Sequence, residues 1–329
     1  MKFNYSKICQ ELLRDLPKRQ KEILFRRFGL KSGQRETLES IGQDYGITRE
    51  RVRQIEEDGI SRLKPKAEKY QEVFQYFKEY LKKNGNLKKE DSLLAILAGK
   101  NQRSQIFFLL NLGEDFERFG ETDDFYSLWT INRDSLNLAK KVIDSFYNQL
   151  KKTNQPISLK AFELPPDWPK GQASSGWVSS YLEISKKIQK NSEGLFGLPD
   201  WPEINPRGVK DKAYLVLKKV KKPLHFSQVA NLIEGALIQT VHNELIRDPR
   251  FILIGRGIYA LREWGYYPGE VKEVILRVIK EAGKPLTKEE ILEKVREQRL
   301  VKENTILLNL SNKKHFLRNP QGKYWVKEA

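Results

Sequence analysis

The chain has 329 residues and a formal charge of +17, from 60 Lys and Arg against 43 Asp and Glu. An excess of that size favours polyanionic partners and makes their binding salt-dependent. A single cysteine, Cys9, excludes an intrachain disulfide, and no run approaches the roughly 20 apolar residues that a membrane span needs.

In chain order, the opening MKFNYSKICQELLRDL carries Glu11, Arg14 and Asp15 where a secretion signal needs an unbroken apolar core. A cytoplasmic, nucleoid-associated protein with no membrane contact is the expectation. Leu16-Pro17 then opens a helix whose apolar stripe is Ile23, Leu24, Phe25 and Phe28, with Gly29 as its C-cap. After a polar loop, Thr37 is placed to cap a short helix carrying Leu38 and Ile41 inward. Gly42 is small where two helices cross. Gly46 suits the left-handed conformation of a tight turn, Ile47 fills that turn, and Thr48 caps the next helix. Val52, Ile55, Ile60 and Leu63 follow at helical spacing. This is the pattern of a helix-turn-helix.

Removing the inward positions leaves an exposed face of Arg49, Glu50, Arg51, Arg53 and Gln54 at the start of the second helix. In a helix-turn-helix that face enters the major groove. Arg can bond guanine O6 and N7 together, Gln can do the same for adenine, and Glu can accept from cytosine N4. Residues 16–64 also resemble region 4 of bacterial sigma-70 factors. LPKRQKEILFRRFGL is similar to the region 4.1 helix pair, and TLESIGQDYGITRERVRQIE to region 4.2, which reads the −35 promoter element. The resemblance implies that Arg49, Glu50 and Gln54 contact bases of double-stranded DNA. It gives Arg51 and Arg53 to bases or phosphates, and Thr37, Leu38 and Thr48 to the DNA backbone. Arg35 is the further candidate for phosphate. RNA polymerase core is the implied protein partner. Two departures stand out. The helix ends on Glu56-Glu57-Asp58-Gly59 where the family is usually basic. No segment reads as regions 2 or 3, so a complete initiating sigma factor is not expected.

The rest of the chain repeats itself. Leu182, Ile188, Gly194, Phe196, Leu198 and Trp201 recur 63 residues later as Leu245, Phe251, Gly257, Tyr259, Leu261 and Trp264. Thr240, Leu245, Phe251, Gly257 and Tyr259 recur 65 residues later as Thr305, Leu310, Phe316, Gly322 and Tyr324. Lys-Pro-Leu at 222–224 and 284–286 precedes two of the copies. Each unit reads as helix, short strand, helix, helix and a Gly-turned hairpin, which is a winged helix. The expected domains are a helix-turn-helix over 1–66 and winged-helix units over 67–132, 133–207, 208–266 and 267–329. Hairpins are expected near 188–198, 251–261 and 316–326, with Tyr259, Leu261 and Trp264 packed inward. The fold class is mainly α, an N-terminal helix-turn-helix followed by tandem winged-helix (α+β) units.

Residues 208–264 resemble the HARE-HTH domain, on AYLVLKKVKKPLHFSQVANLI and DPRFILIGRGIYALREW. That family includes the RNA polymerase delta subunit, so the resemblance implies association with DNA or with polymerase and leaves the choice open. Groove-facing candidates are Gln239, His242, Asn243 and Arg247, with Arg250 and Arg256 on the wing. In the last unit they are Lys302, Asn304, Lys313, Lys314 and Lys323. His225, His242 and His315 are far apart in sequence, and no zinc-site spacing, phosphate loop or nucleophile elbow occurs. Asp167, Asp200 and Glu203 fall in Pro/Trp turns. No enzyme, cofactor or metal site is expected. Two readings follow. One is a sequence-specific, sigma-like transcription regulator. The other is a delta-like polymerase accessory protein whose winged helices mainly bind protein.

Overall fold

The computed structural model describes residues 3–99, 101–164 and 175–327. Asp167 and Trp168 lie outside the described residues. Helices dominate and the strands are short and antiparallel, so the chain is mainly α with some β. It divides into two compact units, Met1–Pro199 and Asp200–Ala329.

The first unit opens with α1 (Tyr5–Leu13), α2 (Lys18–Phe28), α3 (Leu38–Tyr45) and α4 (Arg49–Ala67). Local chemistry sets these boundaries. Thr37 accepts from the Ser40 N–H and Thr48 from the Arg51 N–H, each satisfying a donor that the first helical turn leaves orphaned. Between them Gly46 takes φ +63, a conformation that costs a residue with a Cβ. A Cβ on Gly42 would stand 2.7 Å from the Ile47 carbonyl oxygen, so only glycine lets the turn close on α3. Ile23, Ile41 and Val52 are fully buried at the centre of this module, with Leu38, Tyr45, Ile47 and Ile55 half-buried around them.

The chain continues through α5 (Gln71–Lys83), β1 (Leu87–Lys89), α6 (Glu90–Ala98), α7 (Arg103–Leu112), β2 (Glu117–Phe119) and β3 (Leu128–Thr130). The strands form one sheet in the order β1-β3-β2, with Leu87 and Glu117 both opposite Thr130. Next come α8 (Asp134–Thr153), α9 (Ser175–Glu183) and the hairpin β4 (Gln189–Lys190) with β5 (Phe196–Gly197). A bridge from Ile157 to Phe196 widens that hairpin.

The first unit is more continuous than the sequence suggests. One apolar cluster runs from Tyr5, Leu13, Leu24, Phe28 and Leu63 into Phe77, Phe108 and Trp129. Phe28 meets Phe108 edge-on at 5.1 Å between centroids and Phe107 at 6.0 Å. The helix-turn-helix therefore shares its core with the element set that follows it. The next join is polar. Tyr181 Oη donates to the Gly85 carbonyl at 2.9 Å, and Lys88 pairs with Glu183 at 2.7 Å.

The second unit contains the same sequence of elements twice. First come α10 (Gly208–Val220), β6 (Leu224–His225), α11 (Phe226–Asn231), α12 (Ile238–Arg247), β7 (Phe251–Gly255) and β8 (Ile258–Leu261). Then come α13 (Val271–Ala282), α14 (Lys288–Gln298), α15 (Glu303–Leu310), β9 (Phe316–Arg318) and β10 (Tyr324–Val326). In the first copy the sheet order is β6-β8-β7, with Leu224 and Leu253 flanking Tyr259. In the second, a bridge from Leu286 to Tyr324 stands where β6 pairs in the first. The Lys-Pro-Leu repeats thus supply a short third strand in the first copy and a single bridge in the second. All three expected hairpins are present.

Two expectations change here. Residues 200–207 go with the second unit, not with the stretch before them, because Glu203 pairs with Lys218 at 2.6 Å and Asp211 accepts from the Arg207 N–H. Tyr259 and Leu261 are buried as expected, but Trp264 is only half-buried, in a 3-10 turn after β8.

Candidate nucleic-acid interface

The start of α4 brings five of the sequence candidates onto a single exposed face. Arg49, Glu50, Arg51, Arg53 and Gln54 are all exposed, while Val52 between them is fully buried and anchors the helix. The side chains on this face are ordered among themselves. Glu50 accepts from Arg53 Nε at 2.9 Å and Nη2 at 2.7 Å, and Arg53 Nη1 also reaches Glu57. Arg51 donates to Gln54 Oε1 at 3.1 Å. The Arg53 hydrogen bonds hold the Glu50 carboxyl below the usual carboxylate range, so Glu50 is a committed acceptor. The same pairing pushes Arg53 further up.

The helix is held at its position by polar ties from α2. Arg27 Nε reaches Glu56 at 3.1 Å, and Gln20 Nε2 donates to Asp58 at 2.8 Å and to the Ile55 carbonyl at 3.2 Å. Arg26 spans Glu36 and Asp44, tying the loop and the end of α3 to α2, and its hydrogen bonds hold the Glu36 carboxyl low. The acidic run Glu56–Asp58, read from sequence as a departure, thus faces partly inward onto cations and amides of its own module. Gly59 sits where α2 crosses, with Leu24 Cδ1 3.1 Å from where a Cβ would be.

Of the candidates for the DNA backbone, Thr37 and Thr48 both cap helices with their hydroxyl oxygens. Leu38, the first residue of α3, is half-buried against the core of the helix-turn-helix. Arg35 is differently placed. Its guanidinium lies 4.1 Å from the Phe107 ring centre and 3.4 Å from Glu90. Glu90 is buried and also takes Arg118 at 3.1 Å and Trp129 Nε1 at 3.1 Å. Sequence held no sign of this node, because the groups that meet Glu90 lie 28 to 55 residues from it.

The winged-helix candidates do not form one surface. Gln239, Asn243, Arg247 and Arg256 are exposed, and Gln239 donates to Asn243 at 3.3 Å. His242 instead stacks on Phe226 at 4.2 Å, with Tyr259 edge-on beyond it, so its ring belongs to the aromatic packing. Arg250 is tied to Asp211 and Asp248 and faces Tyr214. Three aliphatic residues are exposed beside these polar ones, Leu237 and Ile238 at the start of α12 and Ile246 near its end. Lys302, Asn304, Lys313, Lys314 and Lys323 are all exposed. Among the described residues no group of three or more His, Cys, Asp or Glu could hold a metal ion. No described helix is long and apolar enough to cross a membrane.

Residues 12–64 match the family described as Sigma-70, region 4. The matched segment covers α2, α3 and nearly all of α4. That family is a DNA-binding helix-turn-helix of the transcription machinery.

Proposed function

We propose that this protein is a sequence-specific transcription regulator that reads promoter DNA with α4 and associates with RNA polymerase core in the manner of a sigma region 4. The observation that carries this reading is the N-terminal face of α4. It presents five exposed polar or charged side chains of the types that discriminate bases, with no aliphatic side chain among them. The four later element sets act as winged-helix units, the clearest of HARE-HTH type over 208–264. They extend contact along DNA or onto polymerase, and linkage in one chain raises their effective concentration. The protein works in the cytoplasm, on the nucleoid, as a binding protein and not as an enzyme.

The test is selection of a preferred site from a random duplex pool, followed by binding of Arg49→Ala and Gln54→Ala. Each is expected to cost about 1–3 kcal/mol at the selected site and to relax preference at one base position. Equal weakening on selected and random DNA would mean a basic anchor without base reading. A second reading, the delta-like polymerase accessory protein, draws on the exposed aliphatic residues at the start of α12, where Leu237 is 73% exposed. Co-elution with polymerase core in the absence of DNA, lost on Leu237→Glu, would favour it.

A further inference from the structure

From Asn304 to Lys327 the chain carries Lys313, Lys314, Arg318, Lys323 and Lys327 and not one acid. The equivalent stretch 65 residues upstream carries four arginines, but also Glu244 and Asp248, and Arg250 is consumed by Asp248 and Asp211. The two copies in the second unit therefore differ in the property that matters most for polyanions. We propose that the β9–β10 wing is a second duplex-DNA site, one that grips the phosphate backbone without reading sequence.

The fold places these cations together. Lys327 N–H donates to the His315 carbonyl, so Lys327 lies across the hairpin base from Lys313 and Lys314. Arg318 pairs across the strands with Tyr324, and Lys323 follows in the turn at the tip. From Lys327 to Lys323 the strand rises about 13 Å at ~3.3 Å per residue. That length of duplex presents roughly eight phosphate charges, at one per ~1.7 Å of axis. Lys313, Lys314, Lys323 and Lys327 are exposed, and none has an ion pair among the described residues.

The surrounding acids do not offset the patch. Glu303, at the start of α15, is taken by Arg296 at 2.9 Å, with Lys288 at 3.9 Å. Glu290 is the acid that feels Lys323, and it also feels Lys284 while its carboxylate is held in the Thr287 cap of α14. A wing of lysines without paired carboxylates matches a uniform row of phosphates, and flexible ammonium groups suit point contacts without base geometry. The choice of duplex DNA over other polyanions rests on the reading of α4 given above. The cationic character of the wing does not.

The test uses the full chain and a random-sequence 30-base-pair duplex, with affinity followed against KCl concentration. The variant is Lys313→Gln/Lys314→Gln/Lys323→Gln. Its side chains hold no other residue, so its melting temperature is expected to match wild type. The control removes the same charge elsewhere, Lys219→Gln/Lys222→Gln/Lys294→Gln, all exposed. Each lost phosphate contact lowers the salt slope by ~0.9, so the wing variant is expected to lose about 2–3 units and the control less than about one. The wing variant is also expected to keep the ratio of selected-site to random affinity, which α4 sets. A failure of base reading would show in the wild-type ratio and leave the slope test standing. An unchanged slope, an equal drop in the control, or tighter binding to RNA of the same length would overturn the proposal.

Discussion

Replacing Phe28 by alanine tests whether the helix-turn-helix and the elements after it are one folding body. Phe28 ends α2, is 3% exposed, and meets Phe107 and Phe108 of α7. Truncating a deeply buried Phe costs about 3–5 kcal/mol, transfer and cavity together. Against a typical total of about 5–15 kcal/mol, that is a large share. The assay is hydrogen exchange at rising urea, read on peptides from Leu38–Tyr45, Arg49–Ala67 and Arg103–Leu112. A shared core requires the opening free energies of all three to fall together, by similar amounts. If α3 and α4 lose protection while α7 keeps its wild-type value, the two parts are separate bodies and the shared-core reasoning is wrong.

Three further outcomes are expected. Gly42→Ala adds a Cβ 2.7 Å from the Ile47 carbonyl, so the turn must open. The overpacking, about 1–3 kcal/mol, should outweigh the ~1 kcal/mol that alanine gains in a helix, and a raised melting temperature would show that the approach is not close. Trp264→Ala should cost about 1–3 kcal/mol, below the full-burial figure because the residue is only partly buried, and urea titration checks it. Burial pushes the phenols of Tyr5, Tyr70 and Tyr181 up to about 12. A folded pKa above the unfolded ~10 means their contribution is complete below pH ~10 and is lost as pH rises toward 12. The melting temperature should fall between pH 9 and 11, and Tyr181→Phe should reduce that fall. An identical pH profile for Tyr181→Phe would refute the assignment.

The helix-turn-helix was legible because its determinants are local. Thr37, Gly46 and Thr48 fix caps and turn within a few residues of themselves, and Val52 marks the buried side of α4 by spacing alone. The hairpins were legible for the same reason, since Gly257 and Gly322 mark turns inside repeated apolar patterns. What sequence hid was every contact made across tens of residues. Arg35 reads as a free loop cation until Phe107 and Glu90 are brought beneath it. His242 reads as a helix-face polar residue until Phe226 is stacked on it. Glu56 and Asp58 read as a weakness of the module until Arg27 and Gln20 are seen to meet them. The division at Pro199 was missed because Pro and Trp composition marks a turn without saying which neighbour the turn packs on.

The shared core also has a consequence in time. A ribosome releases the helix-turn-helix first, but Phe28 waits for α7 to cover it. The two are about 80 residues apart, roughly 4–16 s of synthesis at ~5–20 residues per second. During that interval Leu24, Phe28 and Leu63 lack their final neighbours. The nascent module therefore spends seconds with an apolar flank that a chaperone could occupy, and α4 reaches its final mounting only when α7 has been made.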